Sequence, residues 1–298
     1  MSLVIVGSIG LDDIETPSGK VTNVIGGSAS YASIVAQNFG NSKLVGVIGT
    51  DFPKENIDLF KEKNISLEGL EIVDGKTFRW GGKYNDLNKA ETLFTDLNVF
   101  AEFNPIIPKS YLSSKYLFLG NIHPDLQLNV LNQFSDAEVT ACDTMNFWIT
   151  GAKNKLIQVI KKVNILFINE DEIRSLTEVE NVYDAAEAIL KLGPKFVVVK
   201  RGEYGAFVYG QDLIFNAPVY PVRKVVDPTG AGDSFAGGFM GFISKMNNLD
   251  NSTIKKAMFY GTVTASINVE DFSINNVKNM TIAEIEKRYK ELLKITQI

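Results

Sequence analysis

The chain has 298 residues, 45% of them hydrophobic and 22% charged, a composition that suits one large globular domain or a large domain with a small one. Its net charge of −5, from 30 Lys+Arg against 35 Asp+Glu, gives no basic surplus for a polymer of phosphates, so nucleic acid is not an expected partner. One cysteine (Cys142) and one histidine (His123) exclude an internal disulfide framework and a Cys/His zinc cluster, and argue against a Ser-His-Asp hydrolase.

The first residues, MSLVIVGSIG, carry a short apolar run with no basic segment, so Leu3–Val6 is predicted as a core strand rather than a signal peptide. Nothing approaches the ~18 apolar residues of a membrane span, and a soluble, cytoplasmic protein with no membrane partner is expected. Residues 12–25 (DDIETPSGKVTNVI) lack a helical period. Ala29–Phe39 places Ala32, Val35, Ala36 and Phe39 on one face and ends at Gly40, predicting a helix. Leu44–Ile48 reads as a buried strand. Residues 66–103, which include TFRWGGKYNDLNKAETLFTDLNVF, are again rich in Thr, aromatic, Gly and Asp residues. With 12–25 they are expected to form a small β-structured lid over the sheet's mouth. Further strands are predicted at Val139–Cys142, Ile165–Ile168 and Phe196–Lys200, and helices at Ala152–Val163 and Tyr183–Leu192. This alternation implies βαβ units: a single α/β domain over residues 1–298, with a central, mostly parallel sheet flanked by helices, plus the lid.

The segment Val226–Ile243, VDPTGAGDSFAGGFMGFI, is the most informative. A Pro-Thr-Gly-Ala-Gly turn leads into a helix with Phe235, Phe239, Phe242, Ile243 and Met246 at helical spacing. Gly237, Gly238 and Gly241 within that helix each cost about 1 kcal/mol relative to Ala, which close packing of a backbone or ligand would offset. At its entrance Gly230, Ala231 and Gly232 can turn backbone N–H groups toward one point, where the helix dipole adds positive potential. Asp233 stands beside that anion site. Capping is one reading of it; the other is the layout of phosphoryl transfer, with amides holding a γ-phosphoryl and the carboxylate taking a hydroxyl proton.

Asp227-Pro228-Thr229-Gly230-Ala231-Gly232-Asp233-Ser234-Phe235 resembles, essentially residue for residue, the C-terminal signature of the ribokinase-like carbohydrate kinase family, the pfkB family. Other segments follow the family's order along nearly the whole chain. Gly7–Asp12 resembles its first strand, Gly26-Gly27-Ser28-Ala29 its substrate-side glycine pair, Asn169–Glu172 its N-x-x-E element, and Lys200–Gly205 its nucleotide-side strand end and turn. The resemblance implies an ATP-dependent carbohydrate kinase, a phosphotransferase with an alcohol acceptor. It would use Mg²⁺, with Asp233 as base and the Gly230, Ala231 and Gly232 amides as anion hole. It also implies substrate binding by Asp12, Gly26, Gly27 and Ser28. Nucleotide-side positions would be Asn169, Glu172, Lys200, Gly202, Gly205 and Thr229, with Glu172 reaching Mg²⁺ through water. From relatives, Asp227 would contribute to a K⁺ site, and the lid would carry a homodimer contact.

Each position has a plainer reading: Asp12 a solvated turn carboxylate, Gly26 and Gly27 helix-entry glycines, Asp227 a turn residue before Pro228, and Asn169 with Glu172 helix caps. Asn146, in the loop Asp143–Trp148 after a strand, is a candidate for substrate contact, whereas His123 reads as a loop residue. Phe78, Arg79, Trp80 and Tyr84 fit either a cap over a ring-bearing substrate or ordinary cross-strand packing. Accordingly a sugar or sugar-like acceptor is expected first. A nucleoside kinase of the same fold and a catalytically silent sugar or nucleotide sensor are the alternatives. No G-x-G-x-x-G follows Val4–Val6 and no Walker-type motif occurs anywhere, so a Rossmann dehydrogenase and a P-loop NTPase are disfavoured.

Overall fold

The computed structural model describes residues 1–297, and its thirteen strands form two sheets. In chain order they are β1 (Ser2–Val6), β2 (Gly10–Thr16), β3 (Gly19–Gly26), β4 (Asn41–Gly49), β5 (Ser66–Val73), β6 (Phe78–Asp86), β7 (Lys89–Asp96), β8 (Tyr116–Leu119), β9 (Val139–Cys142), β10 (Ile165–Asn169), β11 (Phe196–Lys200), β12 (Ala206–Gly210) and β13 (Leu213–Ala217). The large sheet has nine strands in the order β13-β12-β11-β10-β9-β8-β1-β4-β5. Strands β11 through β5 in that order are parallel, and β12 turns antiparallel to β11. Every strand predicted from its apolar run lies in this sheet.

Both faces of these strands are apolar because both are covered, and the alternation is strict. Leu3, Ile5, Phe118, Ile165 and Phe167 point into a core shared with the helices Ser28–Ala36, Ala231–Met246 and Asn251–Asn268. Val4, Val6, Leu117, Leu119, Leu166 and Ile168 point the other way, toward Pro124–Gln133, Lys153–Ile160, Glu170–Thr177 and Val182–Leu190. The glycines inside Ala231–Met246 are explained by close packing: a Cβ on Gly237 would stand 2.7 Å from the Ala32 carbonyl oxygen, and one on Gly238 2.2 Å from Thr264 Oγ1.

The lid is a separate four-stranded sheet in the order β3-β2-β6-β7. It is narrower than residues 12–25 plus 66–103. Ser66–Val73 pairs in parallel with β4 and closes the edge of the large sheet instead. The reason is that an edge strand with one exposed face alternates as a lid strand does; in β5 only Gly69 is buried. The outer lid strand β7 is exposed along its whole length, with Leu93 53% accessible. Several polar contacts join the lid to the body, among them three near the Val226–Gly230 turn and β3's end. Thr16 Oγ1 donates to the Val226 carbonyl at 2.8 Å, Thr229 Oγ1 bonds the Tyr84 hydroxyl at 3.1 Å, and Ser273 Oγ donates to the Ile25 carbonyl.

Candidate active site

The site is built where β1 ends, where the lid leaves the body, and where the Ala231–Met246 helix begins. Strand β2 carries two adjacent carboxylates, and a bulge between Asp12 and Ile14 separates their fates. Asp13 turns aside and accepts the Asn23 N–H at 2.8 Å. Asp12 points inward, 3% exposed, and its Oδ1 has no hydrogen-bond partner. Burial first, then Asp227, Asp233 and Asp13, holds its carboxyl well above the usual range. Gly26, which pairs with Gly10 across the ladder, must lack a side chain, because a Cβ there would overlap Asp12 Oδ2 at 1.8 Å. Gly27 has φ of +91° and lies against Ser8. Ser28 is committed locally, its amide donating to Ser8 Oγ at 3.1 Å while its own Oγ accepts the Ser8 N–H at 3.2 Å.

Across the cleft, the turn before the long helix depends on Gly230. Its φ is +73°, and a Cβ would stand 2.5 Å from the ring of buried Tyr31, so glycine serves both conformation and contact. Ala231 N–H is already used, donating to the Pro228 carbonyl at 3.1 Å, and Ser234 N–H closes the first helical bond onto Gly230 at 2.8 Å. The amides of Gly230, Gly232 and Asp233 make no backbone bond. Of the expected trio, the Gly230 and Gly232 amides have no backbone partner, and neither has that of Asp233, whereas the Ala231 amide is engaged. Asp233 follows at the helix's first turn, half-buried, its carboxyl pushed up to about 7 by desolvation and by Asp143, against the opposing pull of Lys200.

Asp227 is wholly buried and ties two loops together: Oδ1 accepts the Thr229 N–H at 2.8 Å and Oδ2 the Ser273 N–H at 2.9 Å. Asn169 and Glu172 form a complete capping box, with Asn169 Oδ1 accepting the Glu172 N–H at 2.8 Å and Glu172 Oε2 accepting the Asn169 N–H at 2.9 Å. Capping thus engages both residues but leaves Glu172 Oε1 unengaged. Burial raises the Glu172 carboxyl to about 7 although Lys200 opposes the shift. Lys200 reaches the same point, 2.6 Å from Asp143. Gly202 and Gly205 sit at positive φ in the turn after β11, where Asn88 at the tip of the β6–β7 hairpin lies against Gly202. Asn146 is exposed and begins a short helix; its side chain bonds none of these groups.

The cleft thus gathers Asp12, Gly26, Gly27, Asp227, Thr229, Gly230, Gly232, Asp233, Glu172 and Lys200, while Asn146 stands apart. Tyr84, Tyr31 and Asp143 also enter it with roles that sequence reading left open or unseen. Tyr84 is nearly buried, and the Tyr31 hydroxyl is buried with no partner. An acid at the C-terminal end of a parallel strand, as Asp143 is, was the available signal. Among the described residues no group of three or more His, Cys, Asp or Glu is placed to hold a metal ion unaided. No helix is long and apolar enough to cross a membrane.

Comparison with known proteins identifies the family and the fold. The family model of the pfkB family carbohydrate kinases matches residues 3–280. A cytidine kinase of Thermococcus kodakarensis is 33% identical over 84% of this chain and 91% of its own length. Among solved structures, the nucleoside kinase of Methanocaldococcus jannaschii superposes with a TM-score of 0.78 at 22% identity, covering 97% of this chain and 98% of that one. A putative ribokinase II from E. coli, in complex with ATP and Mg²⁺, gives a TM-score of 0.81 at 19% identity over 98% and 100% of the two chains.

Proposed function

The chain belongs to the pfkB family of carbohydrate kinases, phosphotransferases with an alcohol acceptor, and from that premise we propose that it moves the γ-phosphoryl of Mg·ATP to a hydroxyl of a nucleoside. A sugar was the first expectation from sequence. The whole-length likeness to a cytidine kinase favours a nucleoside, the same chemistry with a larger pocket.

One observation carries the reading. Two carboxylates influence each other across the cleft, buried Asp12 with an unpartnered oxygen and half-buried Asp233 beside amides that make no backbone bond. Asp12 is the acceptor for substrate hydroxyls, since a buried carboxylate oxygen without a donor is costly until a ligand supplies one. Asp233 is the general base, its carboxyl at about 7 matched to work near neutral pH. The amides of Gly230, Gly232 and Asp233 donate to the oxygens of the migrating group. Glu172 holds the water shell of Mg²⁺ with its free oxygen, Asn169 fixes Glu172, and the Gly202–Gly205 turn borders the nucleotide. Bound Mg·ATP supplies the phosphoryl group and the neutralising cation.

Asp227 is a buried carboxylate with no side-chain cation beside it and lone pairs beyond its two N–H bonds, which fits a monovalent ion such as K⁺. Equal rates in K⁺ and in tetramethylammonium would remove that role. For the acceptor site, Asp12→Ala is expected to raise KM for the nucleoside about tenfold or more while leaving KM for ATP within about twofold. An unchanged nucleoside KM takes Asp12 out of the site.

A further inference from the structure

The best-organised charge pair in the cleft joins Asp143 to Lys200, which the resemblance places on the nucleotide side and the reaction proposed above leaves without a step. Lys200 ends β11 and Asp143 follows β9, so two strand ends separated by β10 send their side chains to one point. Lys200 Nζ lies 2.6 Å from Asp143 Oδ2, with the side chains 19% and 4% exposed. The other Asp143 oxygen accepts the Thr144 N–H at 2.9 Å, which fixes the carboxylate's orientation. A Cβ on Gly232 would stand 3.0 Å from Nζ, so the ammonium packs directly against the turn whose amides are unpaired.

An ammonium has three donors, and only the one to Asp143 is engaged. The remaining charges acting on it are Glu172 and Asp233, so a single cation faces three carboxylates. A polyphosphate entering beside Asp143, Glu172 and Asp233 would meet only negative side chains if Lys200 were absent. A structural salt bridge has no need of that position; a phosphate grip does.

We propose that Lys200 is a catalytic residue that grips the migrating phosphoryl group alongside the Gly232 amide, and that Asp143 is the positioning residue that fixes its ammonium there. This rests on the kinase reading above. In the transfer, the acceptor oxygen bonds the γ-phosphorus as the bond from that phosphorus to the β–γ bridging oxygen breaks. The hydroxyl proton passes to Asp233 and the electron pair leaves with ADP. Lys200 keeps its proton throughout and offsets charge on the transferred oxygens.

The test is calorimetric binding of ADP and of a β,γ-imido ATP analogue, each with Mg²⁺, alongside turnover with a nucleoside, all on the full chain. Lys200→Met is expected to lower kcat about 10²–10³-fold, the scale of losing one transition-state donor. It should weaken the imido analogue about tenfold and ADP less than about twofold, because only the former carries the gripped group. Lys200→Arg should restore the preference for triphosphate, and Asp143→Asn should lower kcat with little change in ADP affinity. The double variant Lys200→Met/Asp143→Asn guards against a fold weakened by an unpaired buried carboxylate, and should show the same loss for the imido analogue. Equal changes for ADP and the imido analogue, or a parental kcat in Lys200→Met, overturns the proposal. If the parent protein turns over no acceptor, the kinase reading fails, yet the ADP-against-imido comparison still decides Lys200.

Discussion

At the scale of single residues, Asp233 shows how one side chain sets two opposite pH dependences. Its carboxyl is raised from 3.8 to about 7, chiefly by desolvation. As a base it must be ionised, so kcat/KM should climb as pH rises through about 7. The folded protein binds the proton more tightly than the unfolded chain, so this group lowers stability as pH rises from about 4 to above 7. Asp233→Asn should therefore cut kcat by about 10² or more, while its melting temperature exceeds the parent's at pH 8 and converges with it toward pH 4. Melting curves of the two proteins across that range check the second half. A parent that is the more stable at pH 8 would contradict the burial account. Glu172 titrates in the same range, so activity profiles report the pair rather than Asp233 alone.

Residue identities at this scale were legible to different degrees. Asp233, Gly230 and Gly232 stand within one continuous turn, so local chemistry is enough to propose them. That Asp12 rather than Asp13 faces inward depends on a bulge, which one strand's sequence does not display. The Asp143–Lys200 pair joins residues 57 apart, on strands that are not even neighbours in the sheet, so no local pattern announces it.

Among the elements, the lid is the one whose sequence signal was weakest. Strands β6 and β7 were legible as turn-separated aromatic and Thr-rich runs, but β5 was not separable from them. An edge strand of the large sheet is wet on one face just as a lid strand is. The contact of Tyr84 with Thr229 spans 145 residues and bridges the lid to the turn proposed as the anion hole. It offers a way for acceptor binding under the lid to steady that turn. Tyr84→Phe removes one hydrogen bond of about 0.5–1.5 kcal/mol and should raise acceptor KM about two- to tenfold, with ADP affinity unchanged. Steady-state kinetics that return parental KM would leave Tyr84 with packing alone. In the same way, the Asn169–Glu172 box shows an element's start serving two ends. It caps the Glu170–Thr177 helix and leaves one carboxylate oxygen for the cleft.

For the whole molecule, the parallel sheet delivers the ends of β1, β8, β9, β10 and β11 to one edge, where Asp143, Glu172 and Lys200 gather, and the lid adds Asp12 while the start of the Ala231–Met246 helix adds Gly232 and Asp233. That architecture was readable because burial on both faces forces continuous Val, Ile and Phe runs. The identity of the acceptor was not, because it depends on the shape left between lid and sheet by residues far apart in sequence. The measurement closest to the central claim is ADP release from Mg·ATP across nucleosides, sugars and polyols, with Asp233→Asn run beside the parent. The account predicts turnover with a nucleoside, pyrimidine nucleosides included, and its loss by about 10² or more in the variant. Turnover confined to sugars would contradict the nucleoside assignment, and an Asp233→Asn protein as active as its parent would contradict the phosphoryl-transfer site itself.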